Sequence, residues 1–123
     1  MPLHWEIQPK DRLVFVKTEG EVSLKDVETY LDDLVTKDAM AYGKLFDASD
    51  LVPIANDHDI MMLGARMRAY AQTMGGGPLA FVVTTVRARE IVDRYINLAQ
   101  ANRPVGVFFT RDEARAWLLK QPR

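Results

Sequence analysis

Apolar positions along this chain recur with two different periods, and the switches between them mark its elements. Leu3–Gln8 and Leu13–Thr18 (LVFVKT) are short runs rich in β-branched and aromatic residues, which predicts two strands. Pro9-Lys10-Asp11 between them is turn chemistry, because proline presets φ and aspartate tolerates turn geometry, so the pair reads as an antiparallel hairpin. Glu19-Gly20-Glu21 breaks the second strand. The period then changes. Val27, Tyr30, Leu31, Leu34 and Val35 follow at helical spacing behind a Ser23-x-x-Asp26 capping box, which predicts a helix over Leu24–Thr36. Its other face carries Asp26, Glu28, Asp32 and Asp33 and reads as a solvated acidic surface.

The same alternation repeats three times more. Lys44–Ala48 is a third strand. Ile60, Leu63, Met67, Tyr70 and Met74 then build one apolar stripe on a long helix that starts near Asn56 and ends near Met74. Asn56 or Asp57 suits its N-cap, and Asp57 and Asp59 suit the positive end of its dipole. Gly75-Gly76-Gly77-Pro78 closes this helix. A phosphate-cradling loop runs strand, glycines, helix; here the order is reversed, so the glycines read as a C-cap and turn. Leu79–Val83 is a fourth strand. Thr84 or Thr85 can cap a helix from Val86 to about Ala101, and Arg103-Pro104 marks its end. Val105–Phe109 is a fifth strand, and Thr110-x-x-Glu113 is a capping box that opens a last helix with Ala114, Trp117 and Leu118 facing inward. Gln121-Pro122-Arg123 reads as frayed.

The order ββαβαβαβα predicts an α/β fold with a mixed five-stranded sheet and four helices. Right-handed crossovers make strands two to five mainly parallel. Strands laid side by side in that order put their crossover helices on one face. Yet Phe81 and Val83 alternate with Ala80 and Val82, and Phe108 alternates with Phe109, so both faces are apolar. Something must cover the second face: a homodimer or stable protein partner, or a helix that crosses over within the chain.

The 123 residues suit a single domain, 1–123, with one core. A formal net charge of -1 gives no electrostatic reason to expect nucleic acid or an anionic membrane. The start, MPLHWEIQPKDR, lacks a basic segment followed by an apolar one, so it does not read as a signal peptide. No apolar run approaches the roughly 18 residues of a spanning helix. Cysteine is absent, which removes disulfides, thiolate metal sites and cysteine nucleophiles and fits a cytoplasmic location.

Candidate chemistry is sparse. The two histidines are His4, in a strand, and His58, inside Asp57-His58-Asp59. Adjacent residues on a helix diverge by about 100 degrees, so those three do not converge on a metal. Ser23 and Ser49 are the only serines; Ser23 reads as a cap, and Ser49 follows a strand end without G-x-S-x-G context. No catalytic constellation, cofactor site or metal site emerges, and the expectation is a protein that is not an enzyme. What remains is a surface where strand ends meet helix starts: Asp47, Ser49, Asp50, Asn56, Asp57, His58, Asp59, Thr84, Thr85, Arg87 and Arg89. Arg87 and Arg89 lie where a helix dipole disfavours cations, a conflict that an anion or acidic partner would offset. Met61, Met62, Met67 and Met74 could instead line an adaptable apolar pocket.

The ending VFFTRDEARAWL, with LFDAS and GPLAFVV as middle strands, resembles the SpoIIAA-like, or STAS/SEC14-type, family of small bacterial proteins. In that family an aromatic-ended strand is followed by an acidic cap and Ala-x-x-Trp-Leu, here Phe108, Phe109, Asp112, Glu113, Ala114, Trp117 and Leu118. The resemblance implies a non-enzymatic regulatory or protein-interaction module. Its alternative is a carrier of a small apolar or anionic, lipid-like ligand. Anti-sigma-factor antagonists of the family carry a phosphorylatable Ser or Thr at the start of the second helix. Ile54-Ala55-Asn56-Asp57-His58-Asp59 has neither, and Ser49 comes too early, so no obvious phospho-switch is expected.

Overall fold

A computed structural model describes residues 3–53, 56–99 and 103–121. The chain runs β1 (Leu3–Gln8), β2 (Leu13–Thr18), β3 (Gly20–Val22), α1 (Leu24–Thr36), β4 (Gly43–Asp47), β5 (Leu51–Pro53), α2 (Asp57–Thr73), β6 (Leu79–Val82), α3 (Val86–Ala99), β7 (Val105–Phe108) and α4 (Arg111–Leu119). Five strands form one sheet in the order β1-β2-β4-β6-β7. β1 and β2 are the antiparallel hairpin, with Leu3 opposite Thr18 and Gln8 opposite Leu13, and the remaining pairs are parallel. The α/β class, the mixed sheet and the four helices are those the periodicity predicts. Strand and helix ends agree within two residues wherever they are described; positions 100–101 and 122–123 lie outside.

Two short strands escape the pattern. Glu19-Gly20-Glu21, read as a break, contributes to β3, which pairs in parallel with β5. Gly20 has a φ of 76°, a conformation that glycine adopts without steric cost. The chain can therefore leave the main sheet there, and the Gly20 amide donates to the carbonyl of Asp50 at 3.3 Å. Three residues are too few to show a period.

Local chemistry fixes the helix ends. Ser23 accepts from the Asp26 amide while the Asp26 carboxylate accepts from the Ser23 amide, and Asn56 and Asp59 make the same reciprocal pair at the start of α2. Thr110 accepts from the Glu113 amide at 3.2 Å to begin α4. Gly77, at φ 66°, lies against the carbonyls of Ala41 and Tyr42, where a Cβ would collide with both. The glycine run is thus the tight return from α2 into β6.

The two faces of the sheet are covered differently. Val14 and Val16 face α1, and Leu79, Phe81 and Val83 face α3. On the opposite face Leu13, Leu45, Ala80 and Val82 receive Ala114 and Leu118 of α4. Trp117 packs there too, its ring 5.5 Å from that of Phe108. The uncovered face behind the homodimer expectation is therefore closed within the chain. The physical reason is topological: α4 follows the edge strand β7 and is not a crossover, so the handedness rule does not hold it to the side of α1, α2 and α3.

Candidate functional site

Under the three crossover helices the packing is discontinuous. One apolar cluster joins β1, β2 and α1 with Met67, and another joins β6 and α3. Between them, above Lys44 and Phe46 of the central strand β4, lies a cavity of about 740 Å³. Helix α2 packs on α1 and α3 and forms its roof with Ile60, Leu63 and Met67. Phe46, Phe81 and Tyr95 stand as an aromatic wall, with successive ring centroids 5.7 Å apart. The volume falls within the usual range for small-molecule sites, about 300–1,000 Å³.

Ionic ties hold the roof. Arg66 on α2 donates to Glu28 at 3.0 Å and to Asp32 at 2.8 Å on α1. Arg94 on α3 donates from Nε to Asp57 of α2 at 2.7 Å. Asp33 accepts from the Trp5 indole at 2.7 Å and from Lys37 at 3.2 Å. The Trp5 hydrogen bond is the main reason its carboxyl is held below the usual carboxylate range. The acidic face of α1 is thus not merely solvated, as its sequence suggests; it clamps α2 and β1.

The cavity has two unlike ends. Exposed Asn56, Asp57 and His58, with Arg94, lie at one. At the other, Lys44 is 2% exposed. Its ammonium donates to the carbonyl of Met40 and, at 2.7 Å, to that of Gly76. Arg103 donates to the same Gly76 oxygen at 3.0 Å, while its Nε is buried without a partner among the described residues. Burial pushes the Lys44 pKa well below its ordinary value, and the charge of Arg103 pushes it the same way. Burial raises the neighbouring Tyr30 phenol, against the pull of Arg103.

The residues singled out in the sequence are dispersed over this frame. Asp47 is buried: its Oδ1 accepts from the Ser49 amide at 3.1 Å, its Oδ2 accepts from Arg111 Nε at 2.9 Å, and Arg111 Nη2 stands 2.7 Å from the same oxygen in an ion pair. Burial alone would raise its carboxyl; the hydrogen bonds of Ser49 and Arg111 outweigh that and hold it below the usual range. Asp50 is exposed beside β5. Asn56, Asp57, His58 and Asp59 line the cavity mouth. Thr84 and Arg87 are exposed at the start of α3, Thr85 accepts from the Ala88 amide at 3.0 Å, and Arg89 pairs with Asp93 at 3.3 Å. The loops after β4 and β6 leave the sheet side by side, joined by the Ala48 amide donating to Val82. Of the four methionines, Met67 lines the cavity; Met61, Met62 and Met74 are exposed on the outer side of α2. His4 stands 3.7 Å from Glu19, far along the chain from Ser49 and His58.

Lys44 and Arg103 did not stand out in the sequence. Lys44 reads as the first residue of a strand, and Arg103 as a helix-end marker. A lysine facing the covered side of a central strand was the available signal, because lysine is almost never fully buried.

The fold is SpoIIAA-like. The structure matches the crystal structure of an uncharacterized protein from the DUF3478 family with a SpoIIAA-like fold, from Shewanella loihica PV-4. The TM-score is 0.64 at 19% sequence identity over 94% of this chain and 91% of that one. It also matches an anti-sigma factor antagonist from Mycobacterium paratuberculosis, with a TM-score of 0.52 and 13% identity over 94% and 93% of the two chains. The resemblance drawn from VFFTRDEARAWL therefore holds at the level of the fold. No protein-family model matches the sequence. No curated protein matches it. Among the described residues no helix is long and apolar enough to cross a membrane.

Proposed function

We propose that this protein is a non-enzymatic, cytoplasmic SpoIIAA-like module that works by binding a small, largely apolar ligand between its sheet and α2. The observation that carries this reading is the cavity of about 740 Å³, walled by Phe46, Phe81, Leu63 and Met67 and roofed by a helix that rests on two other helices. A deep, mostly apolar cleft of this size, with a few polar groups at its ends, has the form of small-molecule sites. Native mass spectrometry of protein purified from its own host tests it. The expected spectrum shows a co-purified small molecule whose signal is weakened or lost in Leu63→Trp, where the indole projects into the ligand's path beneath α2. Bare protein mass, together with no binding of an apolar phenylnaphthylamine dye, would refute it.

A second reading, a protein-interaction module without a phospho-switch, is favoured by one further observation. Asn56, Asp57, His58 and Asp59, which line the cavity mouth, are among the residues expected from the sequence to meet a partner. The likeness to an anti-sigma factor antagonist points the same way. On this reading the partner is a protein, and ligand occupancy changes the mouth that the partner meets. His58→Glu should weaken such a partner without altering ligand retention.

A further inference from the structure

The cavity described above ends on two basic side chains, and no carboxylate among the described residues pairs with either. Lys44 and Arg103 share one acceptor, the carbonyl oxygen of Gly76, at 2.7 Å and 3.0 Å. Sharing an oxygen holds the two basic groups close together at the floor of an apolar chamber. Neutral carbonyls satisfy their hydrogens only in part, since Arg103 keeps a buried Nε without a partner. Buried charges are normally paired, because the desolvation of an unpaired one costs several kcal/mol. The acidic residues that line the cavity, Asp57 and Asp59, lie at the other end. From Asp57 to Met67 is ten residues of α2, about 15 Å at the helical rise. Each is also occupied, Asp57 by Arg94 and Asp59 by the capping box. Apolar side chains line the length between.

We propose that the floor of this cavity holds the head of an anionic amphiphile, a molecule with one apolar chain and one carboxylate. The head lies against Lys44 and Arg103, and the chain runs beneath α2 past Phe81, Met67 and Leu63 toward the mouth. Arginine stays charged under all ordinary conditions, and its guanidinium fork matches a carboxylate in two parallel hydrogen bonds. The Lys44 ammonium already donates to two carbonyls, and burial and Arg103 work against its charge, so one guanidinium fork is the main partner left for a head group. A single fork suits one planar carboxylate better than a dianion such as a phosphate monoester. This inference rests on the cavity being a ligand site and adds the chemistry of the head group.

Calorimetric titration of the intact chain with dodecanoate, dodecanol, dodecyl phosphate and acetate, each below its aggregation concentration, separates the two claims. The expected result is that dodecanoate binds more tightly than the other three. Arg103→Gln should weaken dodecanoate about ten- to a hundredfold, since the amide can keep one neutral hydrogen bond in place of the charged fork, and leave dodecanol unchanged. Circular dichroism confirms that the variant is folded, and Lys44→Met provides a second test of the same head-group site. Equal binding of dodecanol and dodecanoate, or an Arg103→Gln affinity unchanged for the acid, would overturn the anionic head while leaving the apolar cavity standing. Tighter binding of dodecyl phosphate would overturn the carboxylate assignment. Binding of none of the four would remove the ligand site and the inference with it.

Discussion

Replacing Asp47 by Asn should loosen the attachment of α4 to the central strand. In the native protein Asp47 Oδ2 accepts a hydrogen bond from Arg111 Nε at 2.9 Å and lies 2.7 Å from Arg111 Nη2 in an ion pair, and Oδ1 accepts from the Ser49 amide. Asparagine keeps one oxygen, enough for Ser49, but turns an NH2 or a neutral carbonyl toward the guanidinium. A shielded charge-assisted hydrogen bond contributes about 1.5–3 kcal/mol. Here the aspartate side chain is 11% exposed but the arginine is 57% exposed. Solvent screens the pair, and the freed arginine rehydrates at little cost, so the expected loss is about 1–2 kcal/mol. The sign with pH follows from the depressed carboxyl. A carboxyl whose folded pKa lies below its unfolded value stabilises fully above the unfolded pKa of about 3.9 and loses that contribution as pH falls through the folded pKa. Urea denaturation followed by Trp117 fluorescence should show a wild-type advantage at pH 7 that narrows below about pH 4. A double-mutant cycle with Arg111→Gln should return most of the loss as coupling energy. An Asp47→Asn midpoint matching wild type at pH 7, or a difference that persists unchanged into acid, would refute the tie and return Asp47 to the surface.

Three further outcomes are expected. Trp117→Ala should cost about 3 kcal/mol, the lower end for large aromatic truncations because the ring is only partly buried, and a denaturation midpoint within error of wild type would show that α4 docks without it. Gly77→Ala should cost about 2–5 kcal/mol, since it combines a left-handed φ with contact against the carbonyls of Ala41 and Tyr42, and thermal melts will register an unchanged midpoint if that turn has room. Lys44 has a folded pKa below its unfolded value of about 10.4, so the unfolded chain binds more protons and stability rises with pH between those two values; in Lys44→Met that slope should flatten, and identical pH profiles from chemical denaturation would contradict a depressed lysine.

The fold was legible because its elements are long enough to show a period. Val27, Tyr30, Leu31 and Leu34 can only share a face on a helix, and LVFVKT is a β-branched and aromatic run of strand length. The helix starts were legible for the same local reason: Ser23 with Asp26, Asn56 with Asp59 and Thr110 with Glu113 satisfy backbone amides three residues away. Contacts between distant segments were not. Nothing near Arg66 announces Glu28 and Asp32, 38 and 34 residues earlier. Asp47 looked like a loop carboxylate because its partner Arg111 is 64 residues away. The placement of α4 hinged on topology. Its own sequence shows an apolar stripe, but only the position of β7 at the sheet edge frees it to cover the second face.

The cavity was illegible for a subtler reason. Ile60, Leu63 and Met67 form the stripe of any packed helix, and a sequence does not distinguish a stripe that meets a sheet from one that stops short of it. What separates the two cases is the behaviour of the polar residues beneath. Had α2 settled onto β4, Lys44 would lie under an apolar helix with no room for its ammonium, and an apolar residue there would serve stability better. Lys44 instead reaches the carbonyls of Met40 and Gly76 at the end of the space, beside Arg103. Among the described residues a buried lysine without a carboxylate breaks the local rules of burial in the centre of the sheet, while capping, turn and strand chemistry are satisfied around it. Violations gathered in this way, inside an otherwise consistent fold, are where function is expected to reside. The ion pairs from Arg66 to α1 and from Arg94 to α2 flank that space on both sides of α2 and join the roof to its neighbouring helices; being largely exposed, they orient it more than they stabilise it.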